Sequence, residues 1–297
     1  MQGFDGFHEE QIACGTVSLR VRHNGAVDRP ALLLLHGYPQ TSAMWHALAP
    51  HFSENYHVIC PDLRGYGGSD KPPTDAEHSP YSKRAMATDM GNLLNHFGHE
   101  ETWLCGHDRG ARVAHRFAID HPARTRAVTL LDIAPTREMY AHTDAEFAKA
   151  YWHWFFLILP APQPERMIGA DPEAYWRFKC TALTRGSEIF HPDALAEYLR
   201  YFHDPATIHA MCEDYRAAAS IDIAHDEADG GAKLTMPLQV IWGSRGVIER
   251  CFDALALWRE RAEQVEGHAL EGAHFLAEEV PDAVAQTMAA FFDRHRR

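Results

Sequence analysis

Five short apolar runs, at 31–35, 57–60, 102–105, 127–131 and 238–242, punctuate the chain and alternate with stretches of helical periodicity. A strand that is apolar on both faces must be covered on both faces. The alternation therefore predicts an α/β fold, a mostly parallel central sheet with helices on both sides. Residues 11–22 read as an antiparallel hairpin leading into that sheet. A last helix, starting near Glu278, places Val280, Val284, Met288 and Phe291 on one face, as a terminal helix packed on a sheet does.

The alternation stops between residues 136 and 233, where the chain becomes helical, aromatic and punctuated by prolines. This predicts a core domain of residues 1–135 and 234–297 with a helical cap, residues 136–233, inserted into it. The acidic, glycine-containing stretch 226–231 reads as the return linker. A pocket between a core and a cap can exclude water from a reacting group.

With 46% hydrophobic and 23% charged residues in 297, the chain can bury a substantial core. Its formal charge of -13 argues against nucleic acid as a partner and leaves any anionic ligand in need of a local basic site. The apolar run 151–159 is too short to cross a bilayer, and the first residues lack the basic and apolar regions of a secretory signal, so a cytoplasmic protein is expected. The six cysteines are scattered, which suits reduced, buried thiols. The 21 histidines come without HExxH or paired CxxC spacing, so neither a metal nor another cofactor is expected.

The third apolar run leads into Gly106-His107-Asp108-Arg109-Gly110, a Gly-x-nucleophile-x-Gly turn that lifts one side chain above the end of the sheet, here aspartate where serine is usual. A carboxylate in that place can displace a leaving group from saturated carbon and form an ester that must then be hydrolysed. After the first run comes His36-Gly37-Tyr38-Pro39, where the N–H of Tyr38 can join that of Arg109 as an oxyanion hole. His274, in a small-residue turn before the last helix, is the candidate base. Asp132, at the end of a buried strand, is the favoured acid behind it, with Glu249 as fallback. Arg109 and Arg112 lie three apart at the start of the helix after the turn, suited to clamp a substrate carboxylate and keep Asp108 ionised. Left to themselves, the aromatic run 151–159 and Tyr215 read as buried structure and an ordinary cap residue.

The motifs His36-Gly37-Tyr38-Pro39-Gln40-Thr41, Gly106-His107-Asp108-Arg109-Gly110-Ala111-Arg112, Tyr151-Trp152-His153-Trp154, Cys212-Glu213-Asp214-Tyr215-Arg216-Ala217 and Gly272-Ala273-His274-Phe275 span nearly the whole chain. On them the chain resembles the fluoroacetate (haloacetate) dehalogenases of the α/β-hydrolase superfamily. The resemblance implies an α/β-hydrolase fold with a cap, attack by Asp108 on the α-carbon, carboxylate binding by Arg109 and Arg112, and water activation by His274 with Asp132. It also implies halide binding by His153, Trp154 and Tyr215, and a homodimer. One departure stands out: the family often places tryptophan before a Thr-Arg pair lining the pocket, whereas Leu183 precedes Thr184-Arg185 here. A leucine wall widens or reshapes the pocket.

The expected activity is hydrolysis of short 2-haloalkanoates to 2-hydroxy acids and halide, without metal or cofactor. Epoxide hydrolysis uses the same kind of nucleophile with cap tyrosines as acids, for which Tyr215 and one of Tyr140, Tyr151, Tyr175, Tyr198 or Tyr201 are candidates. Arg109 argues against a neutral apolar epoxide. A silent carboxylate-binding protein is the third reading.

Overall fold

The computed structural model describes residues 3–184 and 187–296. Eight strands form one sheet: β1 (His8–Cys14), β2 (Val17–His23), β3 (Ala31–Leu35), β4 (His57–Pro61), β5 (Thr102–His107), β6 (Thr125–Leu131), β7 (Leu238–Gly243) and β8 (Val265–Leu270). Their order is β1-β2-β4-β3-β5-β6-β7-β8, antiparallel in the first two pairings and parallel in the rest. Each of the five apolar runs is a strand, and the predicted hairpin is β1–β2. The half-exposed edge strand β8 has no apolar run to announce it.

Among the described residues fourteen α-helices accompany the sheet. Flanking β5 in sequence are α1 (Lys83–His96) and α2 (Arg109–Asp120). Between β6 and β7 the described residues hold only helices: α3 (Thr136–Ala141), α4 (Ala145–Ala150), α5 (Trp152–Leu157), α6 (Gln163–Ala170), α7 (Pro172–Thr184), α8 (Pro192–Phe202), α9 (Pro205–Ala218), α10 (Ile221–Ala228) and one short 3-10 turn. After β7 come α11 (Val247–Cys251), α12 (Ala254–Arg259), α13 (Leu276–Glu279) and α14 (Pro281–Arg294). Side chains alternate faces along a strand, and β5 uses both. Trp103 meets Phe292 of α14 on one face at 4.8 Å between ring centroids, while Gly106 lies against Ala111 of α2 on the other.

Two expectations need correction. The last helix begins at Pro281, whose fixed φ suits a first helical position, and Val280 caps it from outside with φ -142°. Val284, Met288 and Phe291 do share the buried face. The stretch 226–231 is not a free linker: its first residues belong to α10, and Asp226 and Asp229 pair with Arg116 of α2. Arg185, singled out above, lies outside the described residues.

The order β4-β3-β5 reverses direction at β3, and the C-terminal edge beside such a reversal is where open α/β sheets gather their ligands. Parallel register fixes what meets there. Leu35 pairs Gly106, His107 pairs Leu131 and Leu131 pairs Ile241, so the loops after β3, β5, β6 and β7 emerge side by side.

Candidate active site

Asp108 sits between β5 and α2 with φ 48°, in the left-handed region that a non-glycine residue occupies only when its surroundings hold it there. The flanking glycines show what holds it. A Cβ on Gly106 would come within 2.5 Å of the Gly110 carbonyl, and one on Gly110 within 2.2 Å of the Leu35 carbonyl, so the turn packs backbone against backbone. Gly37 is equally confined, because its Cβ would lie 2.5 Å from that of Asp108. This brings the Tyr38 N–H to Asp108 Oδ1, to which it donates at 2.9 Å. Burial alone would raise the Asp108 pKa, but His274, Lys179, His107 and Arg109 outweigh it and hold the carboxyl well below its usual range. It is an ionised, desolvated carboxylate.

His274 and Asp132 are brought together as expected. The imidazole Nδ1 donates to Asp132 Oδ2 at 2.6 Å, and Asp132 Oδ1 accepts from the Gly243 N–H at 3.0 Å. Burial pushes both groups toward neutrality, the imidazole down and the carboxyl up, while the two donated hydrogen bonds favour the carboxylate. His274 Nε2 makes no protein hydrogen bond and faces Asp108 Oδ2 at 4.0 Å. Glu249 is elsewhere, accepting from the Trp242 indole in an exposed pair.

The two arginines are buried and each couples electrostatically to Asp108, but they are held differently. Arg109 gives Nε and Nη2 to the Asp214 carboxylate at 3.0 and 2.6 Å, and Nη2 also to the Asp214 carbonyl, which leaves Nη1 unbonded. Its guanidinium lies 4.2 Å from the Tyr215 ring centroid. Arg112 bonds Ala134 O and Thr136 Oγ1 and lies 4.8 Å over Trp154, with Nε unbonded. Burial and then the charge of Arg109 pull its pKa down, the mark of a cation short of counter-charge. His153 stacks on Tyr38 and meets Tyr215 edge-on, while Trp154 meets Tyr215 at 6.3 Å. The Trp154 indole N–H and the Tyr215 hydroxyl are buried without protein partners, as is the Tyr140 hydroxyl beside Trp154. Buried donors are normally satisfied, so the unbonded donors of Arg109, Arg112, Trp154 and Tyr215, which lie in ring contact with one another, are free to meet an acceptor or anion.

The family model for the alpha/beta hydrolase fold matches residues 30–279. This chain belongs to the alpha/beta hydrolase fold family. A fluoroacetate dehalogenase from Burkholderia sp is 41% identical over 296 residues, covering 99% of this chain and 96% of that protein. A soluble epoxide hydrolase from Corynebacterium sp. (strain C12) is 34% identical over 265 residues, covering 88% and 89%. Among solved structures, an alpha/beta hydrolase-type protein from Nostoc sp PCC 7120 superposes with a TM-score of 0.95 at 49% identity, covering 97% of this chain and 99% of the other.

One residue beside Asp108 in this alpha/beta hydrolase carries no signal in the sequence. Lys179 of α7 is 2% exposed, donates to the Tyr38 carbonyl at 3.2 Å, lies over the rings of Tyr38 and Phe275, and lowers the pKa of Asp108. A lone lysine in a helix reads as surface. Tyr140 was noticed only as one of five tyrosines. Leu183, one turn beyond Lys179, lines a cavity of about 120 Å³ together with Thr184, Val247 and His274. Glu165, His209 and Glu213 form a cluster with possible metal-ligand atoms within 4.8 Å, and Arg216 bonds both glutamates at 2.7 and 2.6 Å, offsetting one of their two charges.

Proposed function

We propose that this alpha/beta hydrolase is a hydrolytic dehalogenase of short 2-haloalkanoates. The observation that carries the reading is the ionised Asp108 coupled to two buried arginines whose Nη1 and Nε are unbonded. A haloacetate carboxylate meets those donors and turns its α-carbon toward Asp108. Asp108 displaces halide, forming an alkyl ester, and the departing anion is met by the N–H of Trp154, the hydroxyl of Tyr215 and the ring of His153. His274 then takes a proton from water, which attacks the ester carbonyl carbon. The resulting oxyanion lies near the N–H groups of Tyr38 and Arg109, donors of a kind worth about 3 kcal/mol each. Collapse frees the 2-hydroxy acid and restores the Asp108 carboxylate, and the balance is one water consumed and one proton and one halide released. The scheme uses no metal or cofactor.

Residues 136–233 act in this reading as a cap that supplies the halide pocket, with 1–135 and 234–297 as the core. Among the described residues no helix is long and apolar enough to cross a membrane, and the six cysteines are free. With the negative net charge this fits a cytoplasmic enzyme with no nucleic-acid partner. The 41% identity to the Burkholderia dehalogenase supports the substrate class, and the resemblance favours a homodimer.

The test is a product screen with fluoro-, chloro- and bromoacetate, 2-chloropropionate and styrene oxide. Halide release from the acids, with no diol from styrene oxide, is expected. Diol without halide overturns the reading in favour of an epoxide hydrolase with Tyr215 and Tyr140 as acids. Saturable carboxylate binding with no product favours a silent binder. In the same screen Leu183→Trp is expected to cut turnover of 2-chloropropionate relative to chloroacetate by about tenfold or more, the worth of one misfitted methyl group. An unchanged ratio removes Leu183 from the pocket wall.

A further inference from the structure

Asp214, which holds Arg109, is shared. It is fully buried on α9, and besides the two bonds from Arg109 its carboxylate accepts from the Tyr66 hydroxyl at 2.6 Å and from the Lys83 ammonium. Lys83 opens α1 in the core, is 3% exposed, and has a second carboxylate, Asp222, at 3.9 Å from Nζ. The Asp222 side chain also accepts the Lys83 backbone N–H at 2.8 Å. Four buried or nearly buried charges thus run outward from the nucleophile with alternating sign: Arg109, Asp214, Lys83, Asp222. Burial and Arg109 pull the Lys83 pKa down and the two carboxylates hold it up.

The order matters for anion binding. A buried arginine paired with its own carboxylate is a neutral unit, and a neutral unit has little attraction left for a substrate anion. Dividing the Asp214 charge between two cations leaves the Arg109–Asp214–Lys83 triad with one net positive charge, and the unbonded Arg109 Nη1 presents it to the site. Asp222 balances the far end, one step farther from substrate. We propose that Lys83 is a positioning residue for the carboxylate clamp: by sharing Asp214 it keeps the Arg109 guanidinium electrostatically available to the substrate carboxylate. This rests on the reading that Arg109 binds a carboxylate, and it assigns a substrate-affinity role to a side chain that touches no substrate.

The test compares wild type, Lys83→Gln and Lys83→Arg in chloride release from chloroacetate and in calorimetric binding of the product glycolate. Lys83→Gln is expected to raise KM and the glycolate Kd by about tenfold while kcat changes by less than about threefold, the size of one partly screened charge interaction. Lys83→Arg restores both to within about threefold of wild type, which separates charge from packing. A folded Lys83→Gln protein with unchanged KM and Kd overturns the proposal, and so does a Lys83→Arg protein as impaired as Lys83→Gln. Should Lys83→Gln fail to fold, Asp222→Asn probes the same row from its far end. It releases Lys83 toward Asp214 and is expected to lower KM and Kd; unchanged or higher values overturn the proposal. Wild-type protein that releases no halide sinks the dehalogenase reading, while the glycolate measurements still decide the role of Lys83.

Discussion

Incubated with chloroacetate, His274→Asn protein is expected to gain the mass of one carboxymethyl group on Asp108 and then stop, whereas Asp108→Asn protein gains nothing and releases no halide. The two steps make different demands. Displacement needs only an ionised carboxylate and a placed α-carbon, and when His274 is replaced Lys179 and Arg109 still lie beside Asp108 to favour its charged form. Ester hydrolysis needs a proton removed from water, and the buried His274 Nε2, unbonded and 4.0 Å from Asp108 Oδ2, faces the position where that water attacks.

Loss of the base should therefore slow turnover by about 10³-fold, the middle of the range for general base catalysis, with most of the protein held as ester. Asparagine is chosen because it fills a similar volume and can still donate to Asp132. Intact-mass measurement, with a digest locating the adduct, decides the matter. Unmodified His274→Asn protein that still turns over overturns the assignment of His274, and an adduct on another residue overturns that of Asp108.

The turn that carries Asp108 was legible because steric demand leaves a local trace: only glycine fits at Gly106 and Gly110, and those glycines bracket Asp108 within five residues. Asp132 was legible by position, just past the apolar run of β6, and His274 by the small-residue turn Gly272-Ala273 that carries it. What tertiary partners decide left no trace. Arg109 reads as a free cation until Asp214 meets it across 105 residues of sequence, and Lys179 reads as solvated until Tyr38 and Phe275 cover it. Edge strand β8 is half exposed and carries Glu266 and His268, so the apolar signal that revealed the inner strands is missing there.

Buried histidines give this protein a second large and measurable property, loss of stability at mildly acid pH. His36 and His107 are fully buried and His153 is 2% exposed. Burial lowers the pKa of all three, that of His107 to about 3. Geometry agrees for His36, whose Nε2 accepts the Leu63 N–H at 2.9 Å and cannot do so once protonated. In the unfolded chain these imidazoles titrate near 6.5, so below that pH the unfolded state binds protons that the folded state refuses, and stability falls as pH falls. Glu278 works the other way. Burial pushes its carboxyl up to about 8, so the folded state holds a proton there that the unfolded chain releases above its ordinary carboxylate range. In the His274–Asp132 pair the lowered imidazole and raised carboxyl largely cancel. Burial also lowers His46 to about 4 and His57 and His115 to about 3, so the histidines outnumber the buried Glu278 and the unfolded chain takes up more protons than the folded protein as pH falls below about 6.5. Urea unfolding at pH 7.5 and 5.5 should show a clearly lower midpoint in acid, and His107→Gln, which keeps a donor near the His274 carbonyl, should flatten the dependence by about one proton. A midpoint equal at the two pH values overturns the prediction.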